Sequence, residues 1–279
     1  MLTLDVLRRG LAGGGEERVL TLDPAFQGLP GTAHGGVVLA AFDLVGGRPG
    51  ARDVHGHYLR RVPLGVPLRL RVRRAPGASD LELSEADTLL VTGRVGEAGP
   101  PPATLAPPPA ADAMALPVSR GCFACGTDNP LGLGVQLRAD DVTVGGSWRP
   151  RPGFVATDGT LAAAAITTLL DEAAFWLGAL ATGESGMTTN LRVTVHAAEG
   201  AAGAITVAGA RASARARAGD PRYWDTEVAA RDGDGRLLAS AVITFVAIRG
   251  AARRLVTGML AINAPALVRR VFPAYAPPG

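Results

Sequence analysis

The sequence contains no lysine. Its 28 basic residues are all arginine, and Ala, Gly and Pro are abundant, a composition that indicates a GC-rich coding bias. A single arginine therefore carries little functional information. The net charge is only +3, and the chain lacks the dense basic tract of a typical nucleic-acid-binding protein. Nucleic acid is therefore not an expected partner.

Cysteine is almost as scarce. Cys122 and Cys125 are too few and too close together for the disulfide framework of a small secreted protein. Residues 1–15 include Asp5 and no continuous apolar segment that ends in a cleavage site, so a signal peptide is not expected. Together these features predict a protein of the reducing cytoplasm.

A long hydrophobic run without charges is also missing. Leu161 to Ala181 is about long enough to span a bilayer, but Asp171 and Glu172 lie at its centre. A charge at that depth costs on the order of 3 kcal/mol, so no membrane association is expected. With 47% hydrophobic residues in a chain of 279, the sequence predicts a globular protein with a large core.

What the sequence does contain is an internal repeat. When Asp43 is aligned with Asp171, the pattern P-x-F-x-x-x-x-G-T falls at the same position in both halves, beginning at Pro24 and at Pro152. The repeat predicts two copies of one fold in tandem, each with one aspartate at the equivalent position of its helix.

A proline-rich segment separates the two copies. Residues 99–113 contain two proline triplets, and as an extended polyproline chain this segment would reach roughly 45 Å. That length allows two domains to lie side by side. The predicted organisation is an N-terminal domain over 1–98, a Pro/Ala-rich linker over 99–113, a C-terminal domain over 114–250 and a helical tail over 251–279.

Each half is predicted to have a short strand, an apolar helix and then several strands. The helices are expected over about Ala33–Val45 and about Thr160–Ala181, and glycines near Gly46 and Gly183 end them. Both helices are apolar nearly all round, which is typical of a helix wrapped by a sheet. The predicted fold class is therefore α+β, with a curved antiparallel sheet around a central helix in each half.

The predicted strands rest on alternating polarity and on turn residues. Apolar residues at 68, 70 and 72 alternate with Arg69, Arg71 and Arg73, and Asp232-Gly233-Asp234-Gly235 is typical of a hairpin turn. After the helices the repeat continues in a register shifted by four residues, in which Leu59-Arg60 matches Leu191-Arg192 at the predicted start of a strand.

The residues at the helices resemble those of the hotdog-fold acyl-CoA thioesterases. Ala33-His34-Gly35-Gly36 followed by Asp43 resembles the HGG motif of the phenylacetyl-CoA type, and Thr167 to Ala173, around Asp171, resembles the far end of the same motif. A CxxCG segment at Cys122 and an NPxGL segment at Asn129 resemble the opening of other hotdog proteins. The second half departs from the motif, because Ala162-Ala163-Ala164 replaces HGG.

The resemblance implies two tandem hotdog domains that imitate a thioesterase dimer. In such dimers the acid of one helix works with the N-terminus of the partner helix, which pairs Asp171 with Gly35, Gly36 and His34, and Asp43 with Ala163. Free N–H groups at a helix start stabilise an oxyanion. A buried carboxylate is a stronger base than a solvated one. Asp171 and Asp43 are the expected catalytic residues, and the first site is the better equipped.

Further site residues are expected around these helices. His57, Tyr58, Thr189 and Asn190 precede the long strand that borders the site in the resembling family, so they are candidates for substrate contact. Glu172 points about 100° away from Asp171 and is expected to make a salt bridge or to face solvent. The exposed strand arginines Arg69, Arg71 and Arg73 are either a solvated face or contacts to coenzyme A phosphates.

No metal and no cofactor are expected, with coenzyme A entering only as part of the substrate. His55 and His57 alternate on one strand without further ligands at a suitable spacing. Cys122 and Cys125 also lack evident partner ligands, so they are interpreted as packing within a tight turn, with a redox role as the alternative.

The expected function is hydrolysis of an acyl-CoA or an acyl-carrier-protein thioester. The alternative is a non-catalytic acyl-CoA-binding or scaffold protein, because HGG is missing from the second half. Hydratase or dehydratase chemistry ranks last, since neither helix has an Asp and a His at short spacing. A homodimer of tandem units is left open.

Overall fold

The computed structural model describes residues 3–102, 105–156, 159–197 and 203–275. The predicted linker and the predicted tail each include residues outside these ranges, 103–104 and 276–279 respectively. The helices of the described residues are α1 Thr3–Arg9, α2 Gly35–Gly46, α3 Ala163–Thr182, α4 Ala252–Leu260 and α5 Pro265–Val271.

The strands fall into two groups along the chain. The first group is β1 Leu11–Gly14, β2 Glu17–Thr21, β3 Arg52–Tyr58, β4 Pro67–Ala75, β5 Ala78–Glu85 and β6 Thr88–Glu97. The second group is β7 Met114–Ala115, β8 Arg138–Ala139, β9 Thr143–Trp148, β10 Gly186–Val195, β11 Ile205–Ala210, β12 Arg215–Arg217, β13 Asp220–Arg231 and β14 Leu237–Ala247.

All these strands belong to one antiparallel sheet. Its order is β1-β2-β4-β5-β6-β3-β10-β14-β13-β11-β9-β8-β7, and β12 pairs with β13. The halves meet where β3 pairs with β10, with His57 opposite Asn190 and Arg52 opposite Val195. The two copies therefore share a continuous sheet rather than lying apart as separate domains.

Each half surrounds its own helix. In the first half α2 packs on β3, β5 and β6, and in the second half α3 packs on β9, β10, β11, β13 and β14. The two helices also pack on each other across the junction. The predicted α+β architecture, with an antiparallel sheet and one central helix in each half, is confirmed.

Short capping segments set the ends of the central helices. His34 and Ala162 are extended residues that precede α2 and α3, so both helices begin two or three residues later than predicted. Both end at a left-handed glycine, Gly47 with φ 64° and Gly183 with φ 68°. Glycine tolerates this conformation without steric cost.

The helix Ala163–Thr182 is long and apolar enough to cross a membrane by length and composition alone. In the folded chain, however, 83% of its most apolar window is buried inside the protein. Burial of this kind is typical of the core helix of a globular protein, which is the prediction made from Asp171 and Glu172 at the centre of this segment.

Leu59-Arg60 and Leu191-Arg192 match in sequence, but they do not lie at equivalent points of their strands. Leu59 follows the last residue of β3, whereas Leu191 lies in the middle of β10. The cause is the different length of the helices and connections, because α3 is longer than α2 and is followed by a shorter loop. The strand after each helix therefore starts at a different point of the repeat.

The tail folds back over the site described below. In its described part, α4 and α5 bury Val256, Met259, Val268 and Val271. Between the two helices, Asn263 exchanges hydrogen bonds with the backbone of Val118, at 2.9 Å from its amide and 2.8 Å to its carbonyl. The tail is thus fixed to the segment that leads into the CxxC turn.

Candidate active site

The start of α2 is held in place by its neighbours. The His34 N–H donates to the Phe26 carbonyl at 2.8 Å, and the Ala33 N–H donates to the Val62 carbonyl at 2.9 Å. Thr167 Oγ1 of α3 donates to the Gly36 carbonyl at 2.6 Å. These bonds fix the first turn of α2 against α3, so the free N–H groups of the turn have a defined direction.

Asp171 of α3 reaches this turn from the other half. Its Oδ2 accepts from the Gly36 N–H at 3.0 Å and lies 3.1 Å from His34 Nδ1, while its Oδ1 accepts from Thr188 Oγ1 at 2.6 Å. A Cβ on Gly35 would lie 2.8 Å from Oδ2, so only glycine leaves room for the carboxylate. The structure therefore brings Asp171, His34, Gly35 and Gly36 together.

The amide of Gly36 is occupied by Asp171, which leaves the amide of Gly35 as the candidate oxyanion donor. Among the described residues, no acceptor binds the Gly35 N–H, as expected for the first residue of a helix. Tyr58 Oη donates to the Gly35 carbonyl at 2.6 Å. Burial, and then the charge of Asp171, raise the pKa of Tyr58 well above its usual value, so this hydroxyl stays a donor.

His34 lies between two carboxylates. Its Nδ1 faces Asp171, and its Nε2 is 3.7 Å from Glu172 Oε2. Burial alone lowers the pKa of His34, but the contacts with Asp171 and Glu172 outweigh burial and raise this pKa well above 6.5. Glu172 is itself buried and accepts from Trp176 Nε1 at 2.9 Å. Of the two expectations for Glu172, the salt bridge is observed and the solvent contact is not.

A cavity of about 100 Å³ opens beside these groups. Its polar lining includes His34, Gly35, Tyr58, Asp171, Glu172 and Thr188. Its apolar lining includes Phe175, Trp176, Met187, Leu255 and Met259, the last two from α4. A buried carboxylate, an unpaired helix amide and an apolar recess thus share one space at the junction of the halves.

The equivalent site around Asp43 does not form. Arg52 Nε and Nη2 bind the two oxygens of Asp43 at 2.5 and 2.7 Å, and Arg52 Nη1 donates to the Gly50 carbonyl at 2.7 Å. The cavity beside Asp171 includes neither Asp43 nor Ala163. The expected pairing of Asp43 with the helix start at Ala163 is corrected, because a bidentate arginine occupies this carboxylate.

Asp43→Asn is therefore expected to lower stability and to leave the site at Asp171 unchanged. The change removes a charge-assisted bidentate pair and should cost about 1–3 kcal/mol of unfolding free energy. Thermal unfolding measures the cost. The control is Asp80→Asn, which breaks the exposed pair of Asp80 with Arg94 and should cost at most about 1 kcal/mol. Loss of turnover in a stably folded Asp43→Asn protein would contradict this assignment.

The candidate substrate contacts divide between the two faces of the sheet. Tyr58 lines the cavity, whereas His57 Nδ1 contacts Asn190 Oδ1 at 3.0 Å on the opposite face of β3 and β10. Thr189 Oγ1 donates to the Thr244 carbonyl at 3.3 Å. A β-bulge between Thr188 and Asn190 changes which side chains point inward. His57, Thr189 and Asn190 are thus corrected to residues outside the cavity, and Thr188 takes the inward position.

The structure also changes which arginines are candidates for contact with coenzyme A phosphates. On β4, Arg71 and Arg73 are exposed and Arg69 is half-buried. Arg69 donates to the Ala86 carbonyl, and the other two pair with Glu17 and Glu82. None of the three lines the cavity. Two other exposed arginines, Arg60 and Arg61, do line it and mark its opening. No pattern in the sequence distinguishes them, because the chain has no lysine and 28 arginines.

The two cysteines are reduced and buried next to the cavity. Cys122 Sγ accepts from the Ala124 N–H at 3.3 Å. A ligand atom of Cys122, one of His34 and one of Glu172 lie within 4.8 Å of one another. The expectation that the cysteines have no partner ligands is corrected, since the fold supplies His34 and Glu172 from distant parts of the chain.

No protein-family model matches the chain, and no curated protein matches it either. Solved structures do. A candidate thioesterase II from Thermobifida fusca YX has a TM-score of 0.62 at 18% identity, over 88% of this chain and 99% of its own. A hot dog fold protein of unknown function from Alicyclobacillus acidocaldarius has a TM-score of 0.62 at 16% identity, over 89% and 98%.

A candidate thioesterase from Novosphingobium aromaticivorans DSM 12444 is similar to the same extent, with a TM-score of 0.61 at 20% identity over 86% of this chain and 98% of its own. At such low identity the likeness concerns the fold and not the chemistry. The chain has the hotdog fold, and the matches cover both halves.

Proposed function

We propose that this chain hydrolyses the thioester of an acyl-CoA or of an acyl carrier protein, with Asp171 as the general base. One observation carries the proposal: the carboxylate of Asp171 lies against the helix start of the other half, beside the unpaired amide of Gly35. Two of the structures with the same fold belong to candidate thioesterases, so the fold is compatible with this reaction class.

In the proposed reaction, Asp171 takes a proton from a water molecule as the water oxygen bonds to the thioester carbon. The Gly35 N–H and the positive end of α2 stabilise the negative charge on the carbonyl oxygen. The C–S bond then breaks, and the leaving thiolate takes the proton from Asp171. Thr188 and His34 act as positioning residues, because their contacts fix both oxygens of the Asp171 carboxylate.

The walls of the cavity favour a small acyl group. Its volume of about 100 Å³ is well below the range of about 300–1,000 Å³ of typical drug-sized ligand sites. Of the aromatic helix residues, Phe175 and Trp176 line this space, while Phe42 is buried in the core of the first half.

The free thiols of Cys122 and Cys125 suit a reducing compartment such as the cytoplasm.

The test is release of free thiol from a panel of short, long and aromatic acyl-CoAs, followed with a thiol-reactive dye. Turnover of at least one short or small acyl-CoA is expected. If none is hydrolysed while acyl-CoA still raises the melting temperature, the reaction is absent and the alternative of a non-catalytic acyl-CoA-binding protein holds.

Arg60 and Arg61 are proposed to bind the phosphates of coenzyme A at the cavity opening. The Arg60→Ala, Arg61→Ala double variant is expected to raise KM for acyl-CoA about tenfold, since each charge-assisted bond contributes about 1.5–3 kcal/mol before solvent screening. KM for the matching acyl-pantetheine, which lacks the nucleotide, should not change. Arg69→Ala, Arg71→Ala serves as control, and equal effects of both double variants would contradict the assignment.

A second candidate is hydration or dehydration of an acyl thioester, favoured by the contact of His34 with Asp171 at 3.1 Å. This chemistry ranked last from the sequence because neither helix has an Asp and a His at short spacing. In the folded chain, Asp171 of one half lies next to His34 of the other. Against it, the raised pKa of His34 favours the protonated ring over the neutral ring that a base requires. Loss of enoyl-thioester absorbance on incubation with an enoyl-CoA, without thiol release, would favour this candidate.

A further inference from the structure

The CxxC turn forms part of the cavity wall, and its geometry suits an anionic sulfur. Cys122 and Cys125 are only 6% and 7% exposed. The Gly126 N–H closes the turn on the Cys122 carbonyl at 2.9 Å, and the Ala124 N–H points at Cys122 Sγ. The Cys122 sulfur is thus held in the cavity wall with a backbone N–H directed at it.

Two further donor atoms of different chemistry lie beside this sulfur. They are the imidazole nitrogen of His34 from the first half and the carboxylate of Glu172 from α3. Ligand atoms of a tetrahedral zinc ion are about 3.3–3.5 Å apart, given bonds of about 2.0 Å to nitrogen or oxygen and about 2.3 Å to sulfur. The observed distances, 3.7 Å for His34 to Glu172 and at most 4.8 Å overall, need only small side-chain shifts.

Two of these donors, His34 and Glu172, also make contacts that are typical of residues bound to a metal. His34 Nδ1 faces the Asp171 carboxylate, which leaves Nε2 directed at Glu172. The second oxygen of Glu172 accepts from Trp176 Nε1. A carboxylate on the distal nitrogen of a histidine, and a hydrogen bond to the distal oxygen of a carboxylate, are the usual outer contacts of metal ligands.

We propose that His34, Cys122 and Glu172 bind a thiophilic divalent metal ion, zinc above all, with Asp171 orienting His34 and with a fourth position open to the cavity or taken by Cys125. Sulfur, nitrogen and oxygen together select zinc over magnesium or calcium. Uptake displaces the thiol proton of Cys122 and the proton on His34 Nε2 into solvent. Two protons leave and two positive charges arrive, so the buried cluster keeps its net charge.

The test uses the full chain, reduced and stripped with a chelator, and titrated with Co²⁺ as a probe for zinc. We expect one Co²⁺ per chain, with near-ultraviolet absorption from a cobalt–thiolate bond and visible bands of tetrahedral intensity. Zn²⁺ should then displace Co²⁺ and abolish the spectrum. Absence of thiolate absorption in the wild-type protein would overturn the proposal without recourse to any variant.

Variants locate the ion. Cys122→Ser should abolish the thiolate absorption. Glu172→Gln removes a charged ligand and should weaken Co²⁺ binding by at least about 10- to 100-fold, the loss typical when even an outer contact of a metal ligand is removed. Cys125→Ser decides the fourth ligand: a loss of intensity indicates two sulfurs, and no change indicates an open position. The control is His55→Ala, His57→Ala, because these histidines lie outside the cavity on the other face of the sheet. An unchanged spectrum in a folded Cys122→Ser protein would overturn the assignment.

These readouts need no thioester, so they are independent of the proposed hydrolysis. A chain that binds Co²⁺ through Cys122 but releases no thiol from any acyl-CoA keeps the metal site and loses the hydrolase assignment. A chain that hydrolyses acyl-CoA without the cobalt–thiolate absorption does the reverse.

Discussion

Asp171→Asn is expected to lower kcat/KM for thioester hydrolysis by at least about 100-fold, the usual contribution of a general base. Asparagine has nearly the same shape, and its Oδ1 can accept from the Gly36 N–H while its amide NH2 donates to Thr188 Oγ1, but it does not remove a proton from water. The loss should appear in kcat, because the substrate contacts stay in place. Thiol release at saturating acyl-CoA measures it.

The matched control is Asp43→Asn, the same change at the equivalent point of the other central helix. Because Arg52 holds the Asp43 carboxylate, this variant should keep its turnover. Thermal unfolding of both variants shows whether a loss of turnover is caused by a loss of folded protein. Full turnover in Asp171→Asn would require a different base, and the proposed mechanism would then be wrong.

Gly36→Ala is expected to destabilise the protein by about 3 kcal/mol or more, the upper range for a side chain forced into a packed interior. A Cβ at this position would lie 2.6 Å from the backbone nitrogen and Cα of Thr168. Backbone atoms of a helix cannot move aside as a flexible side chain does, so α2 and α3 would have to separate. That shift would also pull the Gly36 amide away from Asp171 and reduce turnover.

The measurement is the melting temperature, which should fall by at least about 5 °C for a chain of this size. Gly258→Ala is the control, since Gly258 also lies within a helix but has open space where its Cβ would stand. Alanine there should be neutral or stabilising by about 0.5–1 kcal/mol. A Gly36→Ala protein as stable as the wild type would mean that the helices do not cross as closely as described.

The fold followed from local patterns in the sequence. The P-x-F-x-x-x-x-G-T repeat and the apolar helices predicted two copies of one unit, because both patterns depend on residues near one another in the chain. The pairing of Asp171 with the helix start at His34, Gly35 and Gly36 came instead from the resemblance to dimeric hotdog proteins.

Other features depend on contacts between distant residues. Nothing at the sequence level signals that Arg52 binds Asp43 in a bidentate pair, or that a bulge at Thr188 turns Thr189 and Asn190 away from the cavity. The neighbours of Cys122 come from α3 and from the start of α2, and α4 supplies two residues of the cavity wall. Each of these outcomes depends on the strand register and on the packing of the tail.

The pairing of β3 with β10 joins both halves within a single polypeptide, and this changes how substitutions act. In a homodimer every substitution appears twice, at both copies of a symmetric site. Here Asp43 and Asp171 can change separately, and one has a structural partner while the other faces the cavity. The proposed catalytic pair is also intramolecular, so dilution cannot separate Asp171 from Gly35, and specific activity should be independent of protein concentration.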